Sequence, residues 1–149
     1  MASKSLLNPG DAVVCEQPSF IGGLNCFRSY NAEIYGVKVQ SDGIDMEELE
    51  ALLKQHSNIK ILYTIATFQN PSGITMSLEK RKKLLELAEQ YDFMIFEDNP
   101  YGELRFAGDD VPTIKSLDTQ GRVVYLGSFS KILSPGIRAG FTLSLIHIS

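Results

Sequence analysis

Five short stretches of the chain read as strands: Val13–Cys15, Tyr35–Val39, Ile59–Ile65, Phe93–Phe96 and Val123–Leu126. Phe93–Phe96 and Val123–Leu126 are continuously apolar, the pattern of strands covered on both faces. Between the strands the apolar positions recur at helical spacing. Asp45 precedes Met46, Leu49, Leu52 and Leu53, and Glu48 follows it by three residues, so the spacing predicts a helix opened by a capping box. Ser77 opens a second helix through Tyr91, with Glu79 near its positive end and Leu84, Leu85, Ala88 and Tyr91 as the buried stripe. Lys80, Arg81, Lys82 and Lys83 then form a solvated face rather than a phosphate site. The segment Phe20–Tyr30 is a weaker helix, because Gly22 and Gly23 both lower helical propensity.

This alternation predicts an α/β fold of three layers, a mostly parallel sheet with helices on both faces. In such sheets ligands bind beyond the carboxyl ends of the strands. Three strands run straight into polar, turn-rich sequence: Phe68–Gln69–Asn70–Pro71–Ser72–Gly73, Glu97–Asp98–Asn99–Pro100–Tyr101–Gly102 and Gly127–Ser128–Phe129–Ser130–Lys131. Right-handed crossovers bring all three loops to one edge.

Composition narrows the classes. The 149 residues are 44% apolar and 21% charged, which suits a single globular unit rather than a disordered one. A net charge of -4 without a basic cluster argues against a nucleic-acid surface. No stretch reaches the ~20 apolar residues that span a bilayer, and Met1–Leu7 lacks the pattern of a secretory signal, so a cytoplasmic location is expected. Cys15 and Cys26 are too few for a disulfide framework and are expected as partly buried thiols. The two histidines, His56 and His147, lie far apart, and no metal site is expected.

Taken singly, each polar loop has an ordinary reading. Asn70–Gly73 is a good turn, Asp98 a turn cap, Lys131 a solvated lysine. Together they are more specific. Lys131 beside Ser128 and Ser130, with Arg138 seven positions on, offers an amine next to an anion pocket, and the guanidinium supplies a bidentate fork. Asp98 and Tyr101 on the neighbouring loop complete what a pyridine cofactor requires.

The order Asn70-Pro71-x-Gly73, Asp98-x-x-Tyr101 and Ser128-x-Ser130-Lys131 with Arg138 resembles the class I/II aminotransferases, pyridoxal-phosphate-dependent enzymes of fold type I. Gly127–Arg138 is similar to the group that includes the 2-aminoadipate, kynurenine and aromatic aminotransferases, and the resemblance covers about residues 5–142. It implies that Lys131 condenses with the aldehyde of pyridoxal 5'-phosphate and later shuttles a proton. Asp98 would keep the ring nitrogen protonated, and Asn70 and Tyr101 would bond the ring hydroxyl oxygen. Ser128, Ser130 and Arg138 would hold the phosphate. Phe20 matches the aromatic that stacks on the ring, where relatives usually carry tyrosine. The implied partners are an amino acid and a 2-oxo acid, with a homodimeric parent.

By the same resemblance, residues 1–142 are part of a cofactor-binding large domain, and 143–149 are an atypical tail, read as out of frame or an assembly artefact. The N-terminal arm, an upstream glycine-rich phosphate turn and the C-terminal small domain with its carboxylate-binding arginine are missing. Arg28, Arg105 and Arg122 do not match that arginine. The chain alone is expected to be poorly soluble and inactive. Two alternatives share the cradle: a lyase of the same fold, and the aminotransferase-like sensing domain of a winged-helix transcription regulator. Gln69-Asn70-Pro71 and Asp98-Asn99-Pro100-Tyr101-Gly102 favour the enzyme over the regulator.

Overall fold

A computed structural model describes residues 5–144. Seven strands form one sheet in the order β3-β2-β1-β4-β5-β6-β7. They are β1 (Ala12–Gln17), β2 (Glu33–Gln40), β3 (Gly43–Ile44), β4 (Ile59–Thr64), β5 (Met94–Asp98), β6 (Val123–Ser128) and β7 (Gly140–Leu143). The five central strands run parallel, while β3 and β7 close the two edges antiparallel. Residues 145–149, and His147 with them, lie outside the described residues, although Leu143 still belongs to β7.

Alternation along the central strands sorts the core into two layers. Ala12, Val14, Leu62, Ile95 and Val123 face one side, where they meet α2 (Met46–Gln55), α3 (Leu78–Gln90) and α4 (Ile114–Leu117). Val13, Cys15, Ile61, Tyr63, Phe96 and Val124 face the other, under α1 (Ile21–Arg28), whose Leu24 and Phe27 pack there. The expected three-layer architecture is present, with helices on both faces.

The helix signals hold, with two corrections. Asp45 caps α2 by accepting from the amides of Glu47 and Glu48. The reciprocal half of the capping box does not form, because the Glu48 carboxylate accepts from the Lys38 amide of β2 instead, at 2.9 Å. Ser77 caps α3 through the Lys80 amide, and Leu84, Leu87 and Ala88 are fully buried, each leucine contributing roughly 1.5–3 kcal/mol of transfer free energy.

The larger correction concerns Arg81. It is not on the solvated face but 0% exposed. Its guanidinium donates to the carbonyls of Met76, Pro112 and Ala66 and to the Thr67 hydroxyl, at 2.9–3.1 Å. Buried Glu97 lies 3.9 Å away and accepts from the amides of Ile114 and Lys115. The physical reason lies in the spacing: Arg81 precedes Leu84 by three residues and Ala88 by seven, so helical geometry puts it on the apolar stripe. Lys82 and Lys83 do face solvent, whereas Lys80 pairs with Asp42 at 2.7 Å. His56 is half-buried against Tyr35, with ring centroids 4.3 Å apart.

Of the two cysteines, Cys15 is buried and Cys26 exposed. No helix of the described residues is long and apolar enough to cross a membrane, and no cluster of His, Cys, Asp or Glu among them could hold a metal ion.

Candidate functional site

Strand order reverses at β1. From β1 the chain passes through α1 to β2 on one side, and from β3 through α2 to β4 on the other. The two crossovers lie on opposite faces, so a crevice opens beyond the carboxyl ends of β1 and β4. Phe20 follows β1, Asn70 follows β4, Asp98 ends β5, and Ser128 ends β6 with Ser130 and Lys131 beyond it. Arg138 caps the short turn Pro135–Ile137.

One pocket of about 360 Å³ is lined by Phe20, Asn70, Asp98, Tyr101, Ser128, Ser130, Lys131 and Arg138, together with Ile65 and Pro100. Every site residue expected from the sequence therefore meets in a single cavity. Asn70 Nδ2 donates to the Tyr101 hydroxyl at 3.4 Å. The Ser130 amide donates to Ser128 Oγ at 3.1 Å, a bond that tightens the loop after β6. Arg138 adopts φ 54°, a left-handed conformation rare for a side chain of its size. Among the described residues, neither the Lys131 ammonium nor the Arg138 guanidinium has a carboxylate partner. Two uncompensated cations beside two hydroxyls make a site for an anion.

Two glycines shape the walls. Gly73, at φ 76°, completes the turn after Asn70, and Gly22 leaves room for the Phe20 ring, which a Cβ there would meet at 2.5 Å. The glycine that weakens α1 thus has a packing reason. The peptide bonds before Pro18 and Pro71 are cis.

Asp98 is better held than the sequence indicated. Tyr63 donates its hydroxyl to Asp98 Oδ2 at 2.7 Å, and no protein donor among the described residues reaches Oδ1. Burial raises the Asp98 pKa above the usual range, against the lowering effect of Tyr63. The Tyr63 pKa is raised as well, by burial and by the Asp98 charge beside it.

Deeper in the crevice, Glu16 accepts from the Thr64 hydroxyl at 2.6 Å, the Ile65 amide at 3.2 Å and Gln69 Nε2 at 3.2 Å. Burial pushes its pKa up to about 7 from 4.5. The folded state therefore holds a proton on Glu16 that the unfolded state has released between pH 4.5 and 7. Stability should fall as pH rises through that window and level off above it. The unfolding midpoint of Glu16→Gln, measured across the same window, should decline less than that of the wild type, and equal slopes would refute the assignment.

Residues 1–146 match the family model of aminotransferase class I and II. An aromatic-amino-acid aminotransferase of Thermococcus litoralis is 47% identical over 99% of this chain and 36% of its own length. An HTH-type transcriptional regulator of Bacillus subtilis is 33% identical over 95% of this chain and 29% of its own. Among solved structures, the Pyrococcus horikoshii kynurenine aminotransferase in complex with PMP superposes with a TM-score of 0.93 at 46% identity, over 96% of this chain and 36% of that one. The chain thus spans about a third of the length of the relatives it matches. With a family model matched over nearly every residue, the chain belongs to the aminotransferase class I and II family.

Proposed function

We propose that this chain is the cofactor-binding part of a pyridoxal-phosphate-dependent aminotransferase, which moves an amino group between an amino acid and a 2-oxo acid. The observation that carries the proposal is the single pocket in which an amine, a half-buried carboxylate, the Asn70 and Tyr101 side chains, and two hydroxyls with an unpaired guanidinium meet. The donor set fits the cofactor at both ends: Ser128, Ser130 and Arg138 match a phosphate, and the open Oδ1 of Asp98 matches a ring N–H.

When bound, pyridoxal phosphate supplies an aldehyde that takes up amino groups and a protonated ring that accepts electrons from the substrate α-carbon. The protein's part is to bind, orient and move protons. Arg138 and the two serines would hold the phosphate end. Asp98 would accept the ring N–H on its open Oδ1, with the Tyr63 bond favouring the carboxylate against the effect of burial. Asn70 and Tyr101 would bond the ring oxygen, and Phe20 would cover one face of the ring. Lys131 Nζ carries a proton on and off the substrate α-carbon.

We place the reaction in the whole protein, which by resemblance is a homodimer, and in a reducing compartment such as the cytoplasm, where the buried Cys15 thiol persists. The loops Gln69-Asn70-Pro71 and Asp98-Asn99-Pro100-Tyr101-Gly102 favour this reading over the regulator. Borohydride treatment of the cofactor-loaded protein, followed by peptide mass mapping, should find the cofactor on Lys131. Labelling of another lysine, or none, would overturn the proposal. Asp98→Asn should lower kcat by about 10²-fold or more with KM little changed, since proton retention at the ring is lost. Unchanged single-turnover rates would count against the role given to Asp98.

A further inference from the structure

We propose that Glu16 is a positioning residue which, through Gln69, fixes the spacing between the Phe20 loop and the Asn70 turn across the pocket. The inference rests on the cofactor reading above and extends it to a residue that does not line the cavity.

Glu16 lies one residue from the end of β1, 4% exposed, at the point where β1 and β4 separate into their loops. Its three donors all come from the β4 side: the Thr64 hydroxyl, the Ile65 amide and the Gln69 side chain. Ile65 itself lines the pocket. No cation contacts Glu16 among the described residues. A buried carboxyl held only by neutral donors is a poor source of stability, and an apolar side chain would fill the same space at lower cost.

What the carboxylate does is tie Gln69 to the end of β1. That side chain is 2% exposed and makes four hydrogen bonds, the one to Glu16 included. Its Oε1 accepts from the Ser72 amide at 2.9 Å and the Ser72 hydroxyl at 2.6 Å. Its Nε2 donates to Glu16 and to the Pro18 carbonyl at 2.8 Å. A backbone amide can only donate and a carbonyl can only accept, so the Gln69 amide has one allowed orientation. Its own backbone also bonds the turn, donating to the Ile74 carbonyl and accepting from the Gly73 amide.

The result is a rigid brace. Pro18 stands two residues before Phe20, and Gln69 stands directly before Asn70. Phe20 and Asn70 are the groups assigned to the ring face and the ring oxygen, so the brace sets where a flat ring can lie between them. A displacement of well under an ångström there would weaken both contacts together.

The test uses the whole protein and four variants: Glu16→Ala, Glu16→Gln, Gln69→Leu and Gln69→Glu. Three quantities are read: cofactor affinity by fluorescence titration, the pH midpoint of the bound cofactor's visible absorption band, and kcat with KM. Glu16→Ala and Gln69→Leu should each weaken cofactor binding by roughly tenfold or more and shift the absorption midpoint, as expected when a buried polar group loses its hydrogen-bond partner. Glu16→Gln keeps the shape and an acceptor for Gln69, and should stay within about threefold of wild type. Gln69→Glu, which sets two carboxylates against each other, should behave like Glu16→Ala. If Glu16→Ala fails to fold, Gln69→Leu and Gln69→Glu carry the same comparison. Variants that lose thermal stability but keep wild-type affinity and absorption midpoint would overturn the inference and leave the cofactor reading intact. A wild-type protein that takes up no cofactor would overturn both.

Discussion

Lys131→Ala in the whole protein should reduce transamination by more than about 10⁴-fold while leaving non-covalent cofactor binding measurable. General acid–base catalysis alone contributes about 10²–10⁴-fold, and this variant also removes the amine that engages the cofactor aldehyde, so two contributions are lost at once. The phosphate end is untouched, because Ser128, Ser130 and Arg138 line the same pocket independently of the lysine side chain. Binding should thus persist without the lysine, detected as cofactor retained on the protein but released by denaturation without chemical cleavage. Steady-state kinetics checks the first half of the expectation and gel filtration with absorbance the second. Normal turnover in the variant would remove Lys131 from the mechanism.

The second large effect falls on stability, far from the pocket. Arg81→Leu removes the guanidinium that bonds the carbonyls of Ala66, Met76 and Pro112 and the Thr67 hydroxyl, and it leaves the buried Glu97 carboxylate without its neighbouring cation. Removing one partner of a buried ion pair costs about 3–5 kcal/mol, a large share of the 5–15 kcal/mol that holds a typical domain folded. Arg81→Lys should recover little, because a single ammonium cannot reach acceptors spread around a planar fork. Denaturant unfolding of the whole protein checks both variants, and a loss below about 1 kcal/mol for Arg81→Leu would show that the buried network contributes little. Ala66 and Thr67 lead directly into the Phe68–Gly73 turn, so fraying there should reach Asn70 before it reaches the sheet.

The pocket was readable in the sequence because its residues follow strands, where loops are marked by proline, glycine and short polar side chains. Phe20, Asn70, Asp98, Tyr101, Ser128, Ser130, Lys131 and Arg138 all belong to such stretches and all line the cavity. What lay hidden is the supporting layer. Tyr63 sits in an apolar strand and reads as core, and only the register that pairs it with Phe96 puts its hydroxyl within 2.7 Å of Asp98. Glu16 reads as the polar end of β1, because the donors that bury it come from residues 48 to 53 positions away. Arg81 was masked by the lysines around it. Helical phase alone would have singled it out, since Lys82 and Lys83 fall off the Leu84–Ala88 stripe and Arg81 does not. Polar residues on a buried phase are the places where such reading should slow down.

The reversal of strand order at β1 also governs when the pocket can come into being. Phe20 and Arg138 stand near opposite ends of the described sequence, and the loops between them are aligned only after β1 has inserted between β2 and β4. That insertion joins stretches of chain about half a hundred positions apart, so it belongs to the slow, loop-closing part of folding. No early helix or isolated strand pair carries a usable fraction of the cavity. A molecule that touches all four loops therefore recognises only the finished sheet, and each increment in its concentration pulls the chain toward the native state.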